Sequence, residues 1–153
     1  MRYTPEDREE FAKQIGELLH QGLIQPSNSP HSSPAFIVRN HAERGKARMV
    51  INYKALNDNT TFDGYYLPNK DELIYQVRNS KLFSKVDCKS GFWQIMLDDQ
   101  SKPYTAFSCP QGHYEWNVMP FGLKKAPQIF QRRMDNIFRE DRDLILVYID
   151  DIL

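Results

Sequence analysis

The C-terminal run Leu144-Ile145-Leu146-Val147-Tyr148-Ile149 constrains this chain more than any other feature, because it delivers two adjacent carboxylates, Asp150 and Asp151, just before Ile152-Leu153. Its aliphatic and aromatic side chains read as a core strand. Two like charges at the end of such a strand repel each other and resist desolvation. A divalent cation held against them is the simplest remedy. Upstream, Leu82-Phe83-Ser84-Lys85-Val86-Asp87 is a second apolar strand ending in a carboxylate. Three aspartates on two strands suggest Mg²⁺, and Mg²⁺ suggests phosphates. On a regular strand Asp150 and Asp151 point to opposite faces. Both reach one site only from a tight turn, with the return strand starting at Ile152. On spacing alone, an ordinary polar turn accounts for the pair equally well.

A chain of 153 residues, 41% hydrophobic and 26% charged, is long enough to bury a core as one domain or as two lobes sharing one. Its formal charge is zero, so no global field points to nucleic acid. The charges are segregated, however: Arg39, Arg44, Lys46, Arg48 and Lys54 stand against Glu43 alone. The two cysteines, Cys88 and Cys109, have neither zinc spacing nor a disulfide framework. With no signal-peptide pattern and no membrane-spanning run, an intracellular location, cytoplasmic or nuclear, is expected. His20, His31, His41 and His113 share no ligand spacing, and no phosphate loop of the nucleotide-kinase type occurs.

Thr4-Pro5-Glu6-Asp7 starts a helix whose apolar stripe is Phe11, Ile15, Leu18, Leu19 and Leu23, with Gly22 as its stop. Residues 26–34 form a turn-rich connector. Residues 35–38 and 49–53 read as a hairpin carrying the basic cluster at its tip. A short helix over 70–77 turns Leu73, Ile74 and Val77 inward. Residues 105–108 and 114–118 pair as strands, and 126–139 is a helix with Ala126, Ile129, Phe130, Met134, Ile137 and Phe138 buried. Helices and strands mix without βαβ alternation, so the class is α+β.

Nucleotidyl transfer needs positioned groups and charge neutralisation, and two metal ions roughly 3.5–4 Å apart supply the latter. Asp87, Asp150 and Asp151 have the required chemistry. Guanidinium groups on the hairpin suit a triphosphate, although a solvated charged loop also explains them. Phe92, Trp93, Tyr104, Trp116 and Phe121 offer faces for bases, or simply core.

Four blocks in order narrow this further. Leu82 to Asp87 followed by Ser90-Gly91-Phe92-Trp93-Gln94-Ile95 resembles the first catalytic motif of retroelement reverse transcriptases. Met119-Pro120-Phe121-Gly122-Leu123-Lys124-Lys125-Ala126-Pro127 resembles their next block, Tyr148-Ile149-Asp150-Asp151 their Tyr-x-Asp-Asp box, and Arg48 to Asn57 the preceding fingers segment. Cys109 to Asn117 points to plant pararetroviruses, the caulimovirus group, with gypsy-type retrotransposons next.

The resemblance implies a right-hand polymerase, truncated within the catalytic hairpin. Its fingers cover 1–82, its first palm strand 83–96, a fingers return 97–119 and a partial palm 120–153; thumb and RNase H are absent. It implies an RNA- and DNA-directed DNA polymerase adding dNTPs to a primer 3′-OH on an RNA or DNA template, with no membrane partner. Asp87, Asp150 and Asp151 match the catalytic, metal-holding carboxylates for two Mg²⁺ ions, with Mn²⁺ able to substitute. Arg48 matches the arginine that grips nucleotide phosphates, and Lys46 or Arg44 is the second cation. Phe92 faces the sugar, where its ring collides with a 2′-hydroxyl. Phe121 stands where retroviral enzymes carry glutamine, so contact there is by packing. Tyr148, Gly122 and Pro120 belong to the template–primer region. Because the chain stops after Leu153, a loosely held aspartate turn and little processive synthesis are expected. The competing expectations are a polymerase-inactive viral or retroelement remnant that at most binds nucleic acid or protein, and an unrelated metal-dependent phosphotransferase.

Overall fold

Thr4 caps the first helix by accepting from the Asp7 N–H at 3.1 Å while the Asp7 carboxylate accepts from the Thr4 N–H. This reciprocal pair and Pro5 set the start of α1 (Pro5–His20). The helix ends as its sequence demands. Gly22 takes φ +69°, and the Leu23 N–H reaches back to the Leu18 carbonyl at 3.0 Å. The computed structural model describes residues 2–40 and 45–153. Arg44 and His41 therefore lie outside the described residues.

After β1 (Ile24–Pro26) comes the hairpin of β2 (Ser33–Asn40) and β3 (Lys46–Ile51), paired from Ala35↔Ile51 to Asn40↔Lys46. Its strands are longer than the apolar run alone predicts. Short α2 (Lys54–Asp58) and capped α3 (Lys70–Val77) follow, then β4 (Val86–Asp87), β5 (Phe107–Cys109) and β6 (Gly112–Trp116). The last elements are α4 (Ala126–Ile137), β7 (Val147–Tyr148) and β8 (Asp151–Ile152). The α+β class holds. Two sheets form: a five-stranded one ordered β1-β6-β5-β2-β3 and a three-stranded one ordered β4-β8-β7.

Each sheet has its own core. Phe11, Ile15 and Leu18 of α1 pack with Ala35, Phe107 and Trp116 against the larger sheet. Fully burying one such side chain stabilises the fold by about 1.5–3 kcal/mol. Ala126, Phe130 and Met134 of α4 pack with Met119 and Val147 against the smaller sheet. Tyr53 is buried at the foot of β3, where its hydroxyl donates to the Thr105 carbonyl at 2.7 Å. That burial pushes its phenol pKa well above the usual range.

β3 is an edge strand, and its outer edge is covered by a side chain. The Gln14 amide accepts from the Met49 N–H at 3.0 Å and donates to the Ala47 carbonyl at 3.2 Å. It satisfies two ladder groups that would otherwise invite another strand.

Several expectations are corrected here. Leu19 and Ile74 are exposed rather than inward, and so is Ile137. β4 forms over only two residues, with Leu82 92% exposed and Phe83 56%. The short return segment also closes the aspartate hairpin instead of leaving it loose. β8 lies between β4 and β7, and Leu146 and Leu153 exchange both backbone hydrogen bonds at 2.8 and 2.9 Å. Of the expected basic cluster, Arg39 is engaged by Asp7 on α1 and Lys54 by Asp58.

Candidate active site

The register of the smaller sheet pairs Asp87 with Asp151 directly across β4 and β8. The Cys88 N–H donates to the Asp150 carbonyl at 2.9 Å beside this pair. Asp87 and Asp151 are thus a non-hydrogen-bonded pair, the arrangement in which facing side chains come closest. Like charges so placed repel, and a cation between them relieves the repulsion. The reason differs from the one the sequence suggested. Asp87 is exposed and Asp150 and Asp151 are half-buried, so repulsion rather than deep desolvation is the term to be offset.

Asp150 sits in the two-residue turn between Tyr148 and Asp151, which are themselves paired. Ile149 precedes it with φ +56°. A β-branched residue rarely adopts this left-handed conformation, which costs of order 1–3 kcal/mol and needs support from its surroundings. Gln131 of α4 supplies that support. Its side chain is buried, accepts from the Ile149 N–H at 2.7 Å and donates to the Val147 carbonyl at 3.1 Å. It also donates to Asp135 at 2.9 Å, and Asp135 accepts from the Tyr65 hydroxyl at 2.6 Å. Gln131 dresses the outer edge of β7 as Gln14 dresses β3: each bonds the carbonyl before one residue and the N–H after it. Those central residues are Tyr148 and Arg48.

Gly91 completes the turn's seat. A Cβ there would lie 3.0 Å from Phe130 Cζ and 3.1 Å from Asp150 Cβ, so only glycine lets the helix and the turn close together. Ser90 before it has φ +50°. Among the described residues, the non-glycine positions with positive φ are thus Ser90 and Ile149, and both border the aspartates.

Lys85 directly precedes β4, two residues before Asp87. Its ammonium lies 2.8 Å from Asp151 Oδ1. Cys88 is shifted in the same field: burial first, then Asp150 and Asp87, push its thiol pKa up.

The other expected residues group around a cleft of about 830 Å³ between α1, β3 and the turn at Ser90. Lys46, Arg48, Phe121 and Gly122 line it with Trp93; the aspartates do not. Phe92 lies between the two regions. Its ring centroid is 5.2 Å from Phe121 and 5.6 Å from Phe130, and Phe121 is 5.8 Å from Trp93. Pro120 is fully buried and offers no surface, whereas Tyr148 is 40% exposed on β7. Asn57 fixes the loop that presents Phe121, donating to the Gly122 carbonyl at 2.8 Å and accepting from the Lys124 N–H at 2.8 Å.

Sequence reasoning missed Lys85, Gly91 and Gln131 as site residues. Gln131 did leave a signal: it is a polar residue on the stripe set by Ala126, Phe130 and Met134. A buried amide there needs partners.

Among the described residues no three His, Cys, Asp or Glu side chains form a ready-made metal cage. Mg²⁺ does not require one. It binds through one or two carboxylates plus waters and substrate phosphates, and the apposed Asp87 and Asp151 with Asp150 beside them fit that donor set. Among the described residues no helix is long and apolar enough to cross a membrane.

A family model described as reverse transcriptase (RNA-dependent DNA polymerase) matches residues 38–153. The chain is 64% identical over 155 residues to the enzymatic polyprotein of Cauliflower mosaic virus (strain Strasbourg), covering 100% of this chain and 23% of that protein. It spans less than a quarter of the length of such relatives. The fold is similar to that of the Prototype Foamy Virus protease-reverse transcriptase CSH mutant. The TM-score there is 0.86 at 25% identity, over 99% of this chain and 20% of that one. A foamy viral protease-reverse transcriptase in complex with dsDNA gives 0.79 at 25% identity, over 99% of this chain and 31% of that one.

Proposed function

Because this chain belongs to the reverse transcriptase (RNA-dependent DNA polymerase) family, we propose that it carries the nucleotidyl-transfer site of such a polymerase, adding dNTPs to a DNA primer on an RNA or DNA template. The observation that carries this is the register that sets Asp87 against Asp151, with Asp150 on the adjoining turn. These three carboxylates would hold two Mg²⁺ ions, or Mn²⁺ in their place. Such ions supply activation of the attacking hydroxyl and neutralisation of phosphate charge. The larger sheet with α1 acts as the fingers, and the smaller sheet with α4 as part of the palm.

The chain's own residues bind and orient. Arg48, held by the Gln14-covered edge of β3, grips the nucleotide's phosphates with a planar fork, and Lys46 adds a second charge on the same strand. Phe92 is braced by Phe121 and Phe130, so its ring cannot swing away from a 2′-hydroxyl. Phe121 packs under the base. Gly122 and Tyr148 face the template–primer, and buried Pro120 shapes that loop from beneath.

Single-nucleotide addition to a primer–template in Mg²⁺ tests this. Weak addition that disappears in Asp150→Asn is expected. Addition indifferent to Asp150→Asn would remove the site.

A further inference from the structure

We propose that Lys85 is a built-in counter-ion of the aspartates, holding Asp151 when no metal is bound, so that a divalent cation must displace it on entry. This rests on the polymerase reading and concerns how the same site is charged.

Register is the first support. Val86 pairs with Ile152 and Asp87 with Asp151, and Lys85, the residue just before β4, stands two positions from Asp87 and diagonal to Asp151 on β8. The backbone therefore keeps the ammonium over the carboxylates, and the 2.8 Å contact is a diagonal cross-strand pair. Opposition is the second: two like charges across a close pair need a positive charge nearby, and the residue leading into β4 supplies one. The third is exposure. The Lys85 and Asp151 side chains are 62% and 43% exposed, so their pair is a weak surface one and can exchange. A buried pair would be costly to break and would exclude metal. Long and unbranched, the lysine can withdraw into solvent without disturbing β4.

Mn²⁺ titration of the whole chain, followed by the electron paramagnetic resonance signal of free Mn²⁺ at fixed ionic strength, tests the exchange. Lys85→Met keeps length and removes the charge, and Lys81→Met removes one charge outside the site. Asp150→Asn probes the site itself. Lys85→Met is expected to tighten Mn²⁺ by about two- to fivefold, the size of an exposed ion pair. Lys81→Met leaves the affinity as it is, and Asp150→Asn weakens it. Unchanged or weaker affinity in Lys85→Met, or equal tightening in Lys81→Met, would overturn the counter-ion role while leaving the metal site standing. Mn²⁺ affinity indifferent to Asp150→Asn would overturn both.

Discussion

Replacing Gln131 with leucine isolates what holds the aspartate turn. The two side chains are similar in size, but leucine strands the Ile149 N–H and the Val147 carbonyl, which Gln131 now satisfies at 2.7 and 3.1 Å. The Val147 carbonyl is buried and the Ile149 N–H half-buried, and a buried backbone group left without a partner costs about 1–3 kcal/mol. Burying a leucine in place of an amide returns up to about 2 kcal/mol. Two such groups cost about 2–6 kcal/mol together, so with leucine's burial subtracted the expected net loss centres on about 3 kcal/mol, which shifts a urea midpoint down by about 1–2 M. The left-handed Ile149 loses its main restraint as well. Its amide should therefore lose hydrogen-exchange protection well before the α1 amides do. A midpoint within about 0.2 M of wild type, with Ile149 still protected, would refute the claim that Gln131 supports the turn.

Other expectations follow from the same geometry. Gly91→Ala forces a methyl group against Phe130 and Asp150 and should destabilise the chain by about 1–3 kcal/mol in urea, with weaker Mn²⁺ binding. Phe92→Val should lower the preference for dNTP over rNTP in single-nucleotide addition; an unchanged preference would contradict the steric role of the ring. Arg48→Ala should raise the dNTP concentration needed for half-maximal addition, and raising salt should narrow the gap to wild type. The Tyr65 N–H, with the Arg132 guanidinium second, lowers the Asp63 carboxyl pKa. A lowered folded pKa adds stability above the unfolded value of about 3.9 and loses it on further acidification. Chemical denaturation should therefore show Asp63→Asn as less stable at neutral pH, with the gap closing in acid.

Local chemistry was legible wherever it acts within a few residues. Thr4 and Pro5 announce α1, Gly22 its end, and Pro110-Gln111 the β5–β6 turn, because caps and turns depend on neighbours along the chain. Periodicity was less reliable at the edges of the fold. Leu19, Ile74 and Ile137 continue apolar stripes yet face outward, because a stripe does not say how wide its partner surface is. The strand ending at Asp87 reads as core in sequence, but its first residues are exposed, since no described element packs over Leu82.

The sequence by itself determined the chemistry available: three carboxylates at strand ends, guanidinium groups on a hairpin, a ring before a glycine-bearing loop, and the ordered motifs of a polymerase family. Only the tertiary structure decided how those groups meet. Strand register, a long-range property, set Asp87 opposite Asp151, and the chain leading into β4 brought the Lys85 ammonium within 2.8 Å of Asp151. Helix packing put Gln131 behind a turn whose backbone conformation it must hold against the preference of its own isoleucine. Pairing across more than sixty residues depends on which strands share an edge, and that follows from how the two cores bury their apolar faces.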